Sequence, residues 1–504
     1  MKPSRLACAI LVLLILTNLP YLIALLMSGD GYVFSGFLIN PLDGNSYLAK
    51  MYQGWEGSWR FHLPYTAEDS SPGGYLFLFY LFLGHVGRFL NLPLIEVYHG
   101  ARILAGIGLW LALARFIQAY IPQADLQWKA FWLAATGSGL GWVAVLAGQF
   151  TSDFWVAEAY PFLSCYTNPH FPLALALILL LMVPGRQVPR GARLLIDLAM
   201  ALCLAILLPF GFVIVMILLA LRAALQYLHH VPVDWGRFLA TGIGGGGMAL
   251  YQLWLVQSDP MLRAWNLQNQ TGSPPLWDFL ISFSPVLVIA ILGYVKEKDA
   301  WRETNTALLA GWLLGAAILI YLPVNLQRRF LLGYYLPAAV AAILFLGNWW
   351  SGKQLQRAWL AVWIPSLLTN LVLLGASLGG IAGHDPLLYL TRGESEAMEW
   401  IEDSTPQDAL VLAAPQTGMW LPAWTGRRVI YGHPFETIHA AAEQATLEAF
   451  FSNWDYNQQV AFLHARQVQY LYIGPREKAL GAVENDQYTV AYQNKEVTVY
   501  LIDH

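Results

Sequence analysis

Residues 6–27 read LACAILVLLILTNLPYLIALLM, an apolar run that contains no charged side chain. A helix of about 20 apolar residues spans the hydrocarbon core of a bilayer. The run is too long for the apolar part of a signal peptide, and no A-x-A-like cleavage site follows it. Because Lys2 and Arg5 precede it, the sequence predicts a retained first membrane helix whose N-terminus is cytoplasmic.

The rest of the chain also has the composition of a membrane protein. Of its 504 residues, 57% are hydrophobic and only 12% are charged, and the mean hydropathy is +0.48. The net charge of −4 and the short, scattered basic groups exclude a nucleic-acid-binding surface. The cysteines lack the spacing of a metal site or a disulfide framework. We therefore predict an integral protein of the cell membrane, with membrane lipids as partners and no nucleic acid.

Hydropathy predicts about eleven membrane helices. They lie near residues 6–28, 97–120, 129–149, 170–184, 194–208, 210–227, 237–256, 277–295, 305–322, 330–348 and 357–380. This odd number places the C-terminus outside, and the basic loops near 115–129, 186–193, 222–237, 296–302 and 353–357 then lie in the cytoplasm, as the positive-inside rule requires. The apolar stretch 74–90 is not counted, because a twelfth crossing would place the basic loop 185–193 outside. We expect this stretch to lie along the interface.

Two features within the predicted membrane region indicate how its helices pack. Segments 170–184, 194–208 and 210–227 are short or broken around Pro209, as in helices that line a cavity. The glycine run 244–247 lacks the Lys-Ser/Thr ending of a phosphate-binding loop and lies inside an apolar helix. This context favours close helix packing.

From residue 383 the composition becomes that of a soluble domain. Helical patterns near 394–402 and 436–451 alternate with strand-like runs at 409–414, 428–431, 470–473, 489–492 and 497–502. The sequence therefore predicts two domains. Residues 1–382 form a transmembrane domain with a long first outer loop at 28–71 and an interfacial helix at 73–90, and residues 383–504 form an extracytoplasmic α/β domain.

The first outer loop contains a helical pattern. Asp43, Tyr47 and Met51 recur at every fourth position, with Leu48 and Tyr52 beside them. This spacing predicts an amphipathic juxtamembrane helix with Asp43 at its start. Asp43 suits two roles, as a cap of this helix or as an acid at the membrane surface, and one residue can fill both.

The same loop resembles that of the GT-C glycosyltransferases, which include the aminoarabinose and protein O-mannosyl transferases. The resemblance is carried by Asp43-x-x-x-Tyr47-x-x-x-Met51, Trp59, Pro64 and the Ser71-Pro72-Gly73-Gly74 opening of the interfacial helix at 73–90. It implies a polytopic α-helical membrane fold. It also implies transfer of a hexosyl or pentosyl unit from a polyprenyl-phosphate sugar donor to a lipid, glycan or protein acceptor at the extracytoplasmic face.

The resemblance implies that Asp43 is the catalytic base, which deprotonates or positions the acceptor, and a carboxylate near a dry interface suits this role. One base can drive a direct displacement, which predicts inversion at the sugar carbon. Asp30, just outside the first helix, is a rival that lacks the helical spacing of Asp43 with Tyr47. This chain has Asp43-Gly44 where the family usually has Asp-Glu. No cofactor is therefore certain, and a divalent metal remains open.

The next outer loop contains Asp153 and Glu158. GT-C enzymes commonly place a second carboxylate in this loop, which implies that Glu158 or Asp153 orients the acceptor or binds a metal together with Asp43. A solvated loop charge is the alternative. His170 follows this loop and suits either a hydrogen bond to a phosphate or sugar, or an ordinary place at a helix end.

Arg328 and Arg329 lie on the predicted outer side, against the positive-inside bias. Adjacent guanidinium groups suit the phosphate of a lipid-linked donor, because arginine forms bidentate, charge-assisted hydrogen bonds with phosphate. Snorkelling to lipid headgroups is the alternative. Arg102, at the outer end of the second predicted helix, is another candidate for the donor phosphate.

Other polar groups allow more than one interpretation. The outer loop 258–278 has aromatic and amide groups that suit either sugar hydroxyls or any exposed loop, at Trp265, Asn266, Asn269, Gln270 and Thr271. The C-terminal groups 417–418, 426–428 and 431–433 are turn-like, and no catalytic role is assigned to them.

Two other functions compete with glycosyl transfer. A transporter or flippase of lipid-linked glycans should show repeat symmetry between halves of its membrane domain, and the sequence shows none. A catalytically idle membrane assembly subunit is the second rival, because the acid that usually follows Asp43 is missing.

Overall fold

The computed structural model describes residues 1–67, 71–184, 189–323, 325–484 and 486–503. The α-helices, in chain order, are α1 Pro3–Leu26, α2 Pro41–Trp55, α3 Leu78–Leu90, α4 Leu94–Tyr120, α5 Ala124–Thr136, α6 Gly141–Leu146, α7 Pro161–Thr167, α8 His170–Met182, α9 Arg190–Leu207, α10 Pro209–Leu228, α11 Trp235–Ser258, α12 Pro260–Gln268, α13 Leu276–Phe283, α14 Val286–Lys296, α15 Thr304–Leu319, α16 Tyr335–Trp349, α17 Gly352–Ala382, α18 Arg392–Ser404, α19 Pro415–Gly418, α20 Leu421–Thr425, α21 Ala440–Ser452, α22 Tyr456–Ala465 and α23 Pro475–Leu480. Short 3-10 helices lie at Ser152–Phe154, Ala157–Ala159, Lys298–Trp301 and Gln327–Leu331.

The strands are β1 Tyr32–Phe34, β2 Tyr389–Thr391, β3 Leu410–Leu412, β4 Arg428–Val429, β5 Tyr470–Ile473, β6 Thr489–Gln493 and β7 Thr498–Leu501. β1 and β2 form an antiparallel pair. The other strands form a mixed sheet in the order β4-β3-β5-β7-β6. In this sheet β3 runs parallel to β4 and β5, whereas β7 runs antiparallel to β5 and β6.

The described residues contain five helical segments that are long and apolar enough to cross a membrane. They are α1, α4, α10, α17 and Gln327–Trp349, which includes α16. The pair α13 and α14, bent by 89° at its break, is a sixth candidate, and α3, α8 and α15 are shorter apolar helices. The protein is a mostly helical, polytopic membrane protein. The count of about eleven crossings stays a prediction.

The positions of the predicted membrane segments agree with the observed helices. The break around Pro209 is confirmed, because α9 ends at Leu207 and α10 begins at Pro209. Two segments are divided more finely than the sequence indicated. Segment 129–149 becomes α5 and α6, and segment 277–295 becomes α13 and α14. Hydropathy averages over a window of residues and does not register such breaks.

The chain forms two compact units. We call residues 1–20, 99–252 and 271–379 the helical unit, and residues 21–98, 253–270 and 380–504 the mixed unit. The predicted boundary at 382–383 lies close to the start of the last segment of the mixed unit. The mixed unit also includes the first outer loop, because β1 pairs with β2 and α2 packs against α20. Such long-range pairing leaves no local signal in the sequence.

Within the helical unit, Gly244 and Gly245 of the run 244–247 pack helices together, as the apolar context predicted, whereas a Cβ at Gly246 or Gly247 would meet nothing within 4 Å. A Cβ at Gly244 would lie 2.3 Å from the carbonyl oxygen of Leu198 in α9. A Cβ at Gly245 would lie 2.4 Å from the ring of Phe212 in α10. Only the absence of side chains lets these helices approach so closely.

Within the mixed unit, α2 and α3 are the two helices expected in and after the first loop. They touch through glycines, since a Cβ at Gly54 would lie 2.0 Å from the carbonyl oxygen of Leu81, and one at Gly84 would lie 1.9 Å from that of Met51. α3 has 13 residues, or about 20 Å at 1.5 Å per residue, which is short for a hydrocarbon core of about 30 Å. The crossing predicted at 170–184 also contains a helix of only 13 residues, α8, so the interfacial placement of α3 stays a prediction.

The C-terminal elements follow the predicted alternation of helices and strands. β5 has the predicted limits, and β3, β4, β6 and β7 lie within or beside the predicted runs. The helix expected from residue 436 begins instead at Ala440, after His439 with a left-handed φ of 55°. Residues 433–439 therefore form an irregular segment before α21, and this segment contacts the first-loop acid Asp43 through His433.

Candidate active site

Asp43 lies in the first turn of α2. Asn40 precedes this helix with a left-handed φ of 50°, and Pro41 is its first residue, where a missing N–H costs no helical hydrogen bond. The capping role considered for Asp43 is therefore wrong, because Asp43 lies within the helix and no side chain caps it. A negative charge here is still favoured by the helix dipole.

The side chains of His433 and Asn40 both contact the Asp43 carboxylate. Nε2 of His433 lies 3.2 Å from Oδ1, and Nδ2 of Asn40 donates to Oδ2. The side chain of Asp43 is 43% exposed, whereas that of His433 is only 3% exposed. The carboxylate is therefore partly exposed, and a buried imidazole from the C-terminal region fixes its orientation.

Ser46 and Lys50 continue along the same face of α2, because positions i, i+3 and i+7 of a helix align. Nζ of Lys50 and Oγ of Ser46 both donate to Oε1 of Glu436, each at 2.6 Å. Lys50 Nζ also donates to Ser46 Oγ. We call Asp43, Ser46, Lys50, His433 and Glu436 the Asp43 cluster. It joins one face of α2 to the segment 433–436.

The ion pair in this cluster is buried. Burial alone would raise the pKa of the Glu436 carboxyl, but the charge of Lys50, then that of His433, and the hydrogen bonds from Lys50 and Ser46 outweigh it. The pKa of Glu436 is therefore held below its ordinary value. Removing one partner of such a pair leaves an uncompensated buried charge.

Aromatic rings cover the buried side of the cluster. Nζ of Lys50 lies 4.4 Å from the ring centroid of Phe77, within the range of a cation–π interaction. Phe77 has a left-handed φ of 50°, a strained conformation for a non-glycine residue that surrounding structure must fix. Tyr47 stacks on Tyr80 with ring centroids 4.4 Å apart. Tyr47 therefore shapes the surface beside Asp43.

In the helical unit, Glu158 is joined to Arg329. Oε1 of Glu158 accepts from Nη1 of Arg329 at 3.1 Å, and the carbonyl oxygen of Glu158 accepts from the backbone N–H of Gly333 at 2.9 Å. The guanidinium of Arg328 lies 4.5 Å from the ring centroid of Trp155. We call Trp155, Glu158, Arg328 and Arg329 the Arg329 cluster. In it Glu158 is the buried partner and Arg329 remains partly exposed, so Glu158 is not a solvated loop charge.

Arg102 is buried within the protein. Its Nη1 donates to the carbonyl oxygens of Thr17 at 3.2 Å and Cys165 at 2.9 Å, and its Nη2 donates to Oδ1 of Asn18 at 2.7 Å. Its Nε donates to Nδ1 of His99 at 3.2 Å. These hydrogen bonds connect α1, α4 and α7. They give Arg102 a structural role, so the donor-phosphate role expected from its position does not fit.

The carboxylate of Asp153 is also hydrogen-bonded inside the protein. Its carboxylate accepts from the backbone N–H of Gly141 at 2.9 Å, from Thr151 Oγ1 at 2.7 Å and from Thr369 Oγ1 at 3.0 Å. Burial outweighs these hydrogen bonds and raises the pKa of Asp153. This buried position fits a structural acid that fastens the outer loop, and not a solvated loop charge.

The remaining candidates lie apart from these contacts. His170 is the buried first residue of α8, with its ring centroid 4.0 Å from that of Phe171, as the helix-end alternative predicts. Asp30 is exposed in the turn before β1. Neither position resembles the half-open, hydrogen-bonded carboxylate of Asp43.

The acids proposed for a metal do not form a metal site of their own. Across the described ranges, no three His, Cys, Asp or Glu side chains are grouped so that they could hold a metal ion. Asp43 belongs to the mixed unit and Glu158 to the helical unit. The partner of Asp43 is an imidazole and that of Glu158 is a guanidinium.

The outer loop expected to recognise sugars divides between the two units. In the mixed unit, the amide nitrogen of Gln268 donates to the carbonyl oxygen of Thr437, and its amide oxygen accepts from the backbone N–H of His439. Trp265 packs edge-on against Phe77 with centroids 6.1 Å apart. In the helical unit, the N–H of Thr271 donates to the carbonyl oxygen of Asn325. These contacts fit loop packing, the alternative to sugar recognition.

The sequence patterns did not identify His433 and Glu436 as residues of the candidate site. No catalytic role was assigned to residues 431–433, yet His433 contacts Asp43 across 390 positions of the chain. Glu436 was expected to begin a helix, and it instead pairs with Lys50 before α21 starts. The sequence did contain one signal that an acidic partner lies nearby, because Lys50 is a charged residue on the same helical face as Asp43.

Comparison of sequences identifies only the C-terminal region. Residues 384–496 match the model of DUF6541, a family of unknown function. No curated protein matches the chain.

Comparison of structures covers the whole chain. The oligosaccharyltransferase of Archaeoglobus fulgidus has a TM-score of 0.52 at 13% identity, over 100% of this chain and 74% of that one. ArnT from Cupriavidus metallidurans gives 0.51 at 10% identity, over 98% of each chain. The arabinofuranosyltransferase AftD from Mycobacteria gives 0.50 at 16% identity, over 100% of this chain and 40% of that one. The chain thus has the fold of these glycosyltransferases, the GT-C fold that the resemblance implied.

Proposed function

We propose that the protein is a membrane glycosyltransferase that moves a sugar from a polyprenyl-phosphate donor to an acceptor at the extracytoplasmic face. The observation that carries the proposal is the Asp43 carboxylate, which is 43% exposed and hydrogen-bonded to the buried His433. A base must reach the proton of its acceptor while keeping a fixed orientation. Asp43 meets both requirements.

Proteins with the same fold support the class of substrates. ArnT from Cupriavidus metallidurans has been solved bound to undecaprenyl phosphate, and its TM-score against this chain is 0.51. The Archaeoglobus oligosaccharyltransferase has been solved with a tethered acceptor peptide. A lipid-linked donor and a lipid, glycan or protein acceptor are therefore proposed for this chain as well.

The proposed reaction is a single displacement. Asp43 takes the proton of the acceptor hydroxyl, and the acceptor oxygen attacks the anomeric carbon of the hexosyl or pentosyl unit. The bond from this carbon to the phosphate oxygen breaks, and its electron pair leaves with the polyprenyl phosphate. Attack opposite the leaving group inverts the anomeric configuration.

The departing phosphate gains negative charge, which Arg329 and Arg328 are proposed to neutralise. Guanidinium groups placed where charge develops stabilise the transition state. Glu158 orients Arg329 through the contact at 3.1 Å. Glu158 is therefore assigned as a positioning residue for Arg329.

We expect Arg329→Ala to lower kcat/KM for the lipid-linked donor about 10- to 100-fold, because it removes charge-assisted hydrogen bonds worth about 1.5–3 kcal/mol. The matched variant Arg302→Ala removes an exposed cation paired with Asp299 and should leave kcat/KM unchanged. Initial rates at varied donor concentration measure both. Equal rates for the parent and Arg329→Ala would remove Arg329 from the donor site.

The proposed orientation has a cytoplasmic N-terminus, about eleven crossings and an extracytoplasmic C-terminal domain. Single cysteines introduced at Asp408 and Lys353 in a cysteine-free background test it. A membrane-impermeant maleimide added to intact cells should label position 408 and not position 353. Labelling of position 353 alone would invert the topology, and labelling of neither or both would overturn the crossing pattern.

The direct test is sugar transfer by purified protein. Radiolabelled sugars on a panel of polyprenyl phosphates are offered to cell-envelope acceptors, with Asp43→Asn as control and with added Mg²⁺ or EDTA to test metal dependence. Transfer that disappears in the control supports the enzyme and its base. Binding of lipid without transfer from any donor would favour a flippase or an idle assembly subunit.

A further inference from the structure

The C-terminal region contributes a side chain to the proposed base, and its hydrogen bonds define what that side chain can do. Nδ1 of His433 accepts from the backbone N–H of Phe435 at 3.1 Å. A ring nitrogen that accepts a hydrogen bond carries no proton, so the neutral imidazole has its proton on Nε2. Nε2 is the nitrogen that faces Oδ1 of Asp43 at 3.2 Å.

His433 is therefore a donor to Asp43 in either charge state. In the neutral ring the Phe435 N–H selects the tautomer with a proton on Nε2, and in the imidazolium both nitrogens carry protons. His433 cannot accept the proton that Asp43 removes while this bond lasts. Its contribution is orientation and stabilisation of the carboxylate.

The segment that holds His433 is itself anchored to α2. Glu436 follows closely after His433 in the chain. Its Oε1 accepts hydrogen bonds from Lys50 Nζ and Ser46 Oγ at 2.6 Å each. Thr437 Oγ1 accepts from the backbone N–H groups of Gly432 and His433, both at 3.3 Å. The backbone before His433 is therefore fixed by Thr437, and the backbone after it is fixed by the contacts of Glu436 with α2.

We infer that His433 is a positioning residue of the active site, and that its Nε2–H hydrogen bond to Oδ1 holds the partly exposed Asp43 carboxylate in the orientation that the acceptor hydroxyl requires. This inference rests on the proposed function. It makes the C-terminal α/β region a part of the catalytic machinery instead of an accessory domain.

Two amide substitutions at His433 test whether the residue acts by donating a hydrogen bond to Asp43 or only by filling its place in the fold. In His433→Gln, the amide nitrogen can take the place of Nε2 and keep the bond to Asp43. In His433→Asn, the shorter amide reaches only the place of Nδ1 and loses Asp43. We expect His433→Asn to lower kcat about 10- to 100-fold, the value of a hydrogen bond to a charged group, while His433→Gln stays within about threefold of the parent. KM for the lipid-linked donor should not change in either variant.

The pH profile distinguishes positioning from a purely structural role. The hydrogen bond from His433 favours the ionised form of Asp43, so its loss should move the acidic limb of the kcat profile to higher pH in His433→Asn and leave it in place in His433→Gln. Besides His433, the titratable groups near Asp43 in the described part of the chain include the Lys50–Glu436 pair of the Asp43 cluster. They also include Tyr65 and Tyr80, whose hydroxyls feel the charge of Asp43. These groups are the same in both variants.

Parent activity separates the two proposals. A parent without transfer from any donor overturns the proposed function and this inference together. An active parent with an equally active His433→Asn, or with equal losses and unshifted profiles in both variants, overturns the inference alone. If His433→Asn does not fold, His433→Ala with imidazole in the medium replaces it. Restoration of kcat by imidazole supports the inference, and failure of imidazole to restore a folded His433→Ala overturns it.

Discussion

Asp43→Asn should lower kcat for sugar transfer by about 10²- to 10⁴-fold, the usual contribution of a general base. Asparagine has the size of aspartate and can still accept from His433, so α2 and the segment 433–436 should stay in place. What is lost is the ability to take the acceptor proton. The rate of transfer at saturating donor and acceptor measures this loss.

Two further acidic substitutions give this experiment its controls. Asp43→Glu keeps the carboxylate but moves it by about one bond length along the side chain, and active sites tolerate little displacement. It should therefore also lose most of its activity. Asp30→Asn removes an exposed acid of the same outer loop and should transfer sugar like the parent. An active Asp43→Asn together with an inactive Asp30→Asn would make Asp30 the base.

The membrane helices were predictable because hydropathy is a local property. Every predicted segment coincides with one or two observed helices, and Pro209 divides α9 from α10 as its backbone chemistry requires. α2 was predictable from the spacing of Asp43, Tyr47 and Met51. The bend between α13 and α14 was not, because both halves are equally apolar.

The polar contacts were less predictable because they join distant parts of the chain. Glu158 and Arg329 were each proposed for the site, but only the structure joins them, across 171 positions. The outer acid Asp153 and the basic Arg102 were also candidates in the sequence, and both form hydrogen bonds inside the fold. Sequence patterns identify residue types that suit a reaction. They do not identify which of those residues the protein uses to hold itself together.

Lys50→Met should lower the free energy of unfolding by about 3–5 kcal/mol, because it leaves the Glu436 carboxylate buried without its cation. Lys50 is fully buried and Glu436 nearly so, so water cannot replace the lost ammonium group. Lys478→Met is the matched control, since its partner Glu484 is 44% exposed and such surface pairs contribute about 0–1 kcal/mol. Unfolding followed by tryptophan fluorescence in mixed micelles compares them.

The double variant Lys50→Met/Glu436→Gln removes both charges and should recover most of the lost stability, because a buried pair replaced as a unit is often close to neutral in stability.

The stability of the parent and that of Lys50→Met should also depend differently on pH. In the parent, the lowered pKa of Glu436 contributes stability above its unfolded value of about 4.3, and this stability is lost as pH falls through the folded value. In Lys50→Met, burial dominates and raises the pKa of Glu436, so acidification should narrow the gap to the parent. A gap that stays constant between pH 7 and pH 4 would show that Lys50 stabilises through its contacts with Phe77 and Ser46, and not through the charge of Glu436.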